Sequence, residues 1–208
     1  TFMHTMNMHG NPDTITIMDH TLKYDLVVNT LPKVEKTGIS IQRGTHNHVP
    51  VDCPQGMLQV RIPGPTKQQT VKVRVMQDGK SETLNVQELG VDQRYIVGKY
   101  DVEILTLPRI YMNDVNITQS SNKYIDIPGS GMLKYKSHKS ITGQIFVRNE
   151  QGIYDWVCDL NSKKLTDTWY LQPGSYKLVY RSITAVSTDY TAVKEFMIRS
   201  GENTFINL

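Results

Sequence analysis

The sequence predicts an all-β protein made of tandem small antiparallel sandwiches, with about 76 residues in each repeat. Three tyrosines, Tyr24, Tyr100 and Tyr176, lie 76 residues apart, and each opens a run in which apolar and polar side chains alternate. No stretch has the apolar periodicity of an amphipathic helix. Because repetition at a fixed period defines an architecture before any single motif does, the tyrosine spacing is the primary evidence for the fold class.

A second motif recurs with constant internal spacing, from Ile41 to Val51, from Ile117 to Ile127 and from Ile198 to Leu208. Each copy has an apolar residue, a small residue three positions later, and apolar residues at the eighth and tenth positions. A strand, a polar turn and a strand of period two are typical of a half-buried antiparallel pair. We therefore expect a hairpin in each copy.

A third element precedes each tyrosine, where two apolar runs flank a glycine. The three glycines are Gly10, Gly79 and Gly152. A tight hairpin turn requires positive φ, which glycine adopts without steric cost. The pattern predicts a second hairpin in each repeat, which in the first copy includes the run from Phe2 to Met8.

The repeat also predicts where the modules begin and end. The run Gly56–Val60 matches Gly131–Tyr135, and no such opening run precedes Phe2. We expect an incomplete first module at 1–51 that lacks its opening strand, a second module at 52–127 and a third at 128–208. Residues 1–30 have neither the basic start nor the apolar stretch of a signal peptide, so we expect any export signal to lie upstream.

Composition and charge exclude several classes of partner. The chain carries 23 basic and 20 acidic residues, a net charge of +3, and the charges are scattered. The densest basic cluster, formed by Lys134, Lys136, His138 and Lys139, is interpreted as a solvated strand face, so no nucleic-acid partner is expected. No segment approaches the ~20 apolar residues of a membrane span.

Catalytic motifs are missing from the sequence. There is no phosphate-binding glycine loop and no H-E-x-x-H pair, and a G-x-S-x-G nucleophile would need a helix that is not predicted. The sequence therefore predicts a protein that is not an enzyme and has no cofactor.

The histidines are weak candidates for metal binding. His46 and His48 are two residues apart, a spacing that places both imidazoles on one side of an extended segment. The repeat alignment places them at a solvated turn, so no metal site is predicted. The methionines and histidines of Phe2–Met8 suit copper, but the alignment favours a strand with methionines facing the core.

The two cysteines, Cys53 and Cys158, occupy non-equivalent places in their modules. A disulfide would have to bridge two modules, which spacing alone does not support. Two free or buried thiols are the favoured interpretation.

Aromatic residues concentrate in the third module. Tyr154, Trp156 and Trp169 are the candidate ligand-binding residues, because aromatic rings stacked on sugars are a common mode of carbohydrate recognition. In the alignment Trp156 and Trp169 correspond to Thr83 and Arg94, so the repeat pattern does not require them as core residues. The alternative is that they cover a sandwich edge or pack on a neighbour.

The module pattern is similar to small surface modules of the PEGA and carboxypeptidase-regulatory-like types. The similarity is clearest in Leu171–Tyr176, with its Pro-Gly-x-Tyr strand, and in Ile198–Leu208. The resemblance implies immunoglobulin-like or transthyretin-like sandwiches without catalytic activity.

A second resemblance involves Leu22–Pro32 and Gly98–Ile110, which look like the repeat region that follows the von Willebrand factor A domain in exported bacterial surface proteins. It implies an exported protein of the cell envelope, periplasm or extracellular space, with an upstream domain in the same chain. The D-x-S-x-S adhesion motif of the A domain is missing, since Asp159–Lys163 does not match it. No metal or functional residue is therefore carried over.

Together these observations predict a non-catalytic β-repeat segment that acts as a spacer or as an adhesion-type interaction module. The expected partner is a protein or a glycan at the cell surface. The alternative is a carbohydrate-binding module that uses the C-terminal aromatic residues.

Overall fold

The computed structural model describes residues 18–64 and 70–208, and the chain divides into two compact units, 1–53 and 54–208. In the described residues the regular structure is β-strand, apart from a short 3-10 turn at Thr188–Tyr190. The predicted all-β fold class is confirmed. None of the described segments forms a helix long and apolar enough to cross a membrane.

The described part of the first unit contains two antiparallel strands, β1 (Lys23–Val28) and β2 (Val34–Ser40). Their pairing shifts register between Tyr24 and Leu26. Opposite the shift, the Gly38 amide donates a 2.8 Å hydrogen bond to Oδ1 of Asp25, and Gly38 has a φ of 70°. An aspartate thus stabilises a left-handed residue at a β-bulge.

Seven strands of the second unit form the middle module. They are β3 (Gln55–Arg61), β4 (Lys72–Gln77), β5 (Thr83–Glu88), β6 (Gln93–Ile96), β7 (Gly98–Ile104), β8 (Ile110–Ile117) and β9 (Asn122–Asp126). One sheet has the order β6-β3-β9 and the other β5-β4-β7-β8. Alternating side chains of both sheets fill the core, including Leu58, Val73, Val75 and Ile104, all fully buried.

The next seven strands form the C-terminal module. They are β10 (Gly131–Lys136), β11 (Ile141–Arg148), β12 (Tyr154–Asp159), β13 (Thr166–Leu171), β14 (Gly174–Ser182), β15 (Ala192–Ile198) and β16 (Asn203–Asn207). The sheet orders, β13-β10-β16 and β12-β11-β14-β15, repeat those of the middle module. The C-terminal module therefore has the same arrangement of strands as the middle module. Their strand order differs from the ABED and CFG sheets of an immunoglobulin constant domain.

The prediction that Ile117–Ile127 and Ile198–Leu208 each form a hairpin is wrong. The strands β8 and β9 lie in different sheets, and β9 pairs in parallel with β3; β15 and β16 are arranged in the same way. Alternation of period two identifies a half-buried strand but not its neighbour. In the described part of the first unit there is no counterpart of β3, and residues 46–50, which correspond to β9, form no strand.

The glycine hairpins are confirmed in the second unit. Gly79 joins β4 to β5 and Gly152 joins β11 to β12, with φ values of 68° and 81°. Gly10 and the run Phe2–Met8 lie outside the described residues.

The repeated tyrosines have a common role that explains their spacing. The hydroxyl of Tyr100 donates to the carbonyl oxygen of Ile96 at 2.7 Å, and that of Tyr176 donates to Gln172 at 2.6 Å. Both rings are buried. In the first unit, the Tyr24 hydroxyl donates to Asp19 O at 2.9 Å. Each hydroxyl therefore holds the segment that precedes the strand on which its tyrosine lies.

A turn after β7 joins the middle module to the C-terminal module. The side chain of Leu107 packs against the C-terminal core, and its carbonyl oxygen accepts a 2.7 Å hydrogen bond from the Gln172 amide. Within the turn, the Thr106 hydroxyl donates to Pro108 O at 2.6 Å, and the Leu107–Pro108 bond is cis. We call the turn at residues 106–108, together with Gln172, the joint. The predicted module boundary after residue 127 lies between β9 and β10.

Candidate functional site

The outer face of the sheet β12-β11-β14-β15 carries a row of four side chains in register. Trp156 lies opposite Phe146, Phe146 lies opposite Lys177, and Lys177 lies opposite Glu195. On β14 the neighbouring residues Tyr176 and Leu178 are buried in the core, so Lys177 and the rest of the row point outward. We call these four residues the aromatic row.

Trp156 begins the aromatic row at the edge of the sheet. Its side chain is 58% exposed, while its Nε1 donates a hydrogen bond of 3.2 Å to Oδ1 of Asp159. The same oxygen accepts a 2.9 Å bond from Nε2 of Gln144. The indole is therefore held in one orientation with much of its surface open to solvent.

Tyr154 lies on the same strand and is tied to the row. The Lys177 ammonium is 4.0 Å from the Tyr154 ring centroid and 5.5 Å from that of Phe146. The Tyr154 hydroxyl is 3.4 Å from Oε1 of Glu195, to which it donates. Cation–π contacts of this kind contribute ~0.5–1 kcal/mol at exposed sites, so they help to order the surface.

On the same face of the middle module, two arginines form ion pairs with one glutamate. The Glu103 carboxylate, only 3% exposed, accepts from Nη1 of Arg74 at 2.9 Å and from Nη1 of Arg109 at 2.6 Å. These hydrogen bonds, that from Arg74 first, hold the pKa of Glu103 below its ordinary value. In the C-terminal module the register places Gln144 and Val179 at the positions of Arg74 and Glu103. The ion pairs of Glu103 thus have no counterpart at these two positions of the C-terminal module.

Trp169 does not lie on the same surface as Trp156. It lies on β13 in the other sheet, directly opposite Leu133, and therefore faces the core, against which it packs. Its Nε1 is buried without a hydrogen-bond partner among the described residues. In the middle module the counterpart of Leu133 is Leu58, which pairs with Gln93. The structural counterpart of Trp169 is therefore Gln93, whereas the repeat alignment predicts Arg94.

The histidine pair lies in an exposed loop after β2. Asn47 between them holds the loop: its side chain accepts from the Gln42 amide at 2.8 Å and donates to Gln42 O at 2.9 Å. His46 and His48 are both exposed. Throughout residues 18–64 and 70–208, no three histidine, cysteine or acidic side chains converge on a common point as metal ligands would.

No disulfide joins Cys53 to Cys158. Cys158 packs against the C-terminal core, and this burial raises the pKa of its thiol to about 11. A thiol of that pKa is almost entirely protonated at neutral pH and is a poor nucleophile.

Sequence reasoning missed Phe146, Lys177 and Glu195, which complete the surface around Tyr154 and Trp156. Their outward phase could be read from the buried positions beside them, because side chains alternate along a strand. Their proximity could not, since it depends on which strands are neighbours in the sheet.

A comparison with protein-family models gives no match, and neither does one with curated proteins. Several solved structures show a distant similarity. The Bacillus anthracis TIE protein is 13% identical with a TM-score of 0.29, over 74% of this chain and 34% of that one. The minor pilin GBS52 of Streptococcus agalactiae is also 13% identical, with a TM-score of 0.32, over 74% and 94%. A shaft pilin of Lactobacillus rhamnosus is 7% identical with a TM-score of 0.25, over 76% and 96%.

This chain therefore spans about a third of the length of the TIE protein. Similarities at this level carry no argument about activity or partners.

Proposed function

We propose that the chain is a non-catalytic β-repeat segment of an exported surface protein, in which the tandem sandwiches act as a spacer that presents an interaction surface. The observation that carries the proposal is the joint. A spacer must hold its modules in a fixed orientation, and a joint that combines packing with a backbone hydrogen bond restricts motion between them. The location at the cell envelope and the von Willebrand factor A association remain predictions from the sequence.

The joint restricts the two modules in two ways. The Leu107 side chain fills a place against the core of the C-terminal module, so rotation would expose apolar surface. The hydrogen bond from Gln172 fixes the direction of approach. The buried side chain of Gln172 donates to Oγ of Ser130 at 2.9 Å, which links the joint to the segment that enters β10.

The test is to loosen the joint and to measure the relative orientation of the modules. Residual dipolar couplings of the middle and C-terminal modules should fit one alignment tensor in the native protein. In Leu107→Ala they should require two tensors, while the amide shifts within each module stay unchanged. Leu105→Ala is the matched control, because Leu105 is 40% exposed and precedes the turn. A single tensor in Leu107→Ala, or two in the native protein, would contradict the spacer proposal.

A second candidate function is carbohydrate binding at the aromatic row. The observation that favours it is the exposed indole of Trp156, fixed by Asp159 beside the amide of Gln144, since an open ring with adjacent polar groups suits a sugar. A glycan array should give signals that Trp156→Ala abolishes. Tyr170→Ala is the control, because Tyr170 is 57% exposed and lies on the other sheet. Silence of the native protein across a broad array would reject this candidate.

A further inference from the structure

The edge strand β15 differs from the other edge strands of the four-stranded sheets. The pairings of β5, β8 and β12 with their neighbours each contain a register shift, as does that of β2 in the first unit. β15 pairs with β14 over seven consecutive residues without a shift. Bulges on edge strands discourage pairing with other chains, because they twist the edge away from an incoming strand.

The bulge of the middle module depends on an aspartate that the C-terminal module lacks. Oδ1 of Asp101 accepts from the Asp114 amide at 3.2 Å, and Asp114 has a φ of 56°. The pair Asp25 and Gly38 does the same in the first unit. The repeat position of Asp101 is taken by Lys177, which contacts Tyr154 instead. Without the carboxylate, the corresponding edge strand, β15, remains regular.

The free edge of β15 is accessible along its outward-facing residues. Val193 and Met197 are 59% and 55% exposed, and the exposed Glu195 lies between them on the same face. The Met197 carbonyl oxygen accepts from the Thr204 hydroxyl at 3.1 Å, so it points away from β14 but is already paired within the chain. By the two-residue period of a strand, the backbone polar groups of Val193 and Glu195 point the same way.

Glu195 gives this edge its charge preference. Among the described residues it forms no ion pair within 4.0 Å, and its carboxylate accepts only the long hydrogen bond from Tyr154. The facing ammonium of Lys177 lies over the Tyr154 ring. An incoming strand with a basic residue opposite Glu195 and apolar residues opposite Val193 and Met197 would satisfy all three positions.

We propose that β15 binds an extended segment of a partner protein as a fifth strand of the sheet, with an apolar–x–basic–x–apolar pattern facing Val193, Glu195 and Met197. The inference rests on the proposed role as an interaction module, and names its partner. β-Strand addition of this kind takes affinity from main-chain hydrogen bonds and specificity from alternate side chains. A second copy of β15 fits poorly, because the register that pairs Val193 with Met197 places Glu195 opposite Glu195.

The test uses the whole chain and a short synthetic peptide in which valine, lysine and valine alternate with threonine. A matched peptide has glutamate in place of lysine. Titration followed by amide NMR should shift and protect the Val193 and Glu195 amides, with the lysine peptide binding ~tenfold more tightly than the glutamate peptide. In Glu195→Gln the two peptides should bind equally, which assigns the preference to that carboxylate.

Val193→Lys should lower the affinity for the lysine peptide ~tenfold or more, since lysines on an edge strand oppose strand addition. Tyr111→Lys is the matched control, because Tyr111 is 64% exposed and occupies on the bulged strand β8 the position that Val193 occupies on β15. The Tyr111→Lys chain should bind the lysine peptide as tightly as the native chain does. No change at the β15 amides, equal binding of both peptides by the native chain, or a chain that is dimeric by light scattering would overturn the proposal. The dipolar-coupling test of the joint is independent of all three outcomes, so the spacer role can stand or fail separately.

Discussion

The hydroxyl of Tyr176 donates a 2.6 Å hydrogen bond to the carbonyl oxygen of Gln172, and the amide of Gln172 donates in turn to Leu107. The tyrosine that defines the repeat is therefore hydrogen-bonded directly to a residue of the joint between modules. Ordering of the C-terminal core and docking of the middle module involve the same short segment. This connection makes the tyrosine the first position to test.

Tyr176→Phe should lower the free energy of unfolding of the C-terminal module by about 1 kcal/mol, because it leaves the buried carbonyl of Gln172 without its partner. Both tryptophans lie in this module, so urea denaturation followed by tryptophan fluorescence reports on it. Tyr170→Phe is the control, since Tyr170 is exposed on β13. Equal effects of the two substitutions would show that the hydrogen bond does not stabilise the module.

Gly131→Ala should destabilise the C-terminal module by about 1–3 kcal/mol. A Cβ at Gly131 would overlap the carbonyl oxygen of Arg199 and lie 2.8 Å from Cγ2 of Ile198, so β10 would have to move away from the turn before β16. The same fluorescence measurement applies, with the exposed Thr168→Ala as control. A variant as stable as the native protein would mean that the backbone yields there.

Glu103→Gln should destabilise the middle module at neutral pH by about 1–3 kcal/mol, because it removes a charge that Arg74 and Arg109 both bind. The pKa of Glu103 is lowered in the folded state from its ordinary value of 4.5. Its stabilising contribution is thus complete above about pH 4.5 and is lost as the pH falls through the folded-state pKa.

The measurement is hydrogen exchange of the β7 amides at pH 7 and pH 3 in the native protein and in Glu103→Gln. The difference in protection should shrink at the lower pH. Glu88→Gln, at an exposed position of β5, should show little difference at either pH. A difference that is independent of pH would exclude the carboxylate as its source.

The two tryptophans should respond differently to truncation. Trp169→Ala should cost about 3 kcal/mol, since it removes a side chain packed against the core. Trp156→Ala should change stability by less than about 1 kcal/mol, because its side chain is 58% exposed. Thermal unfolding by circular dichroism compares them, and a larger loss for Trp156 would contradict the placement.

Cys158 should be alkylated by iodoacetamide at pH 8 ~100-fold more slowly in the native protein than in urea. Burial raises the pKa of its thiol from 9.0 to about 11, which lowers the thiolate fraction by roughly that factor. Peptide mapping by mass spectrometry follows the modification. Equal rates in the folded and unfolded protein would show that the thiol is accessible.

The placement of Trp169 shows what a repeat alignment can and cannot predict. The alignment matched it to Arg94, whereas the sheet register matches it to Gln93. Because side chains alternate faces along a strand, an error of one residue moves a side chain from the surface to the core. For Trp156 the alignment and the sheet register agree, since both match it to Thr83. Trp156 lies on the surface.

The sequence by itself determined the strands of the second unit, the turns at Gly79 and Gly152, and the repeat of Tyr24, Tyr100 and Tyr176, because these follow from local periodicity and backbone preference. Only the tertiary structure decided that the last strand pairs in parallel with the first in the middle and C-terminal modules, and that Lys177 and Glu195 lie in one row with Trp156. Alternation specifies which face of a strand is buried. It does not specify which strand lies beside it, since that choice depends on packing between residues far apart in the chain.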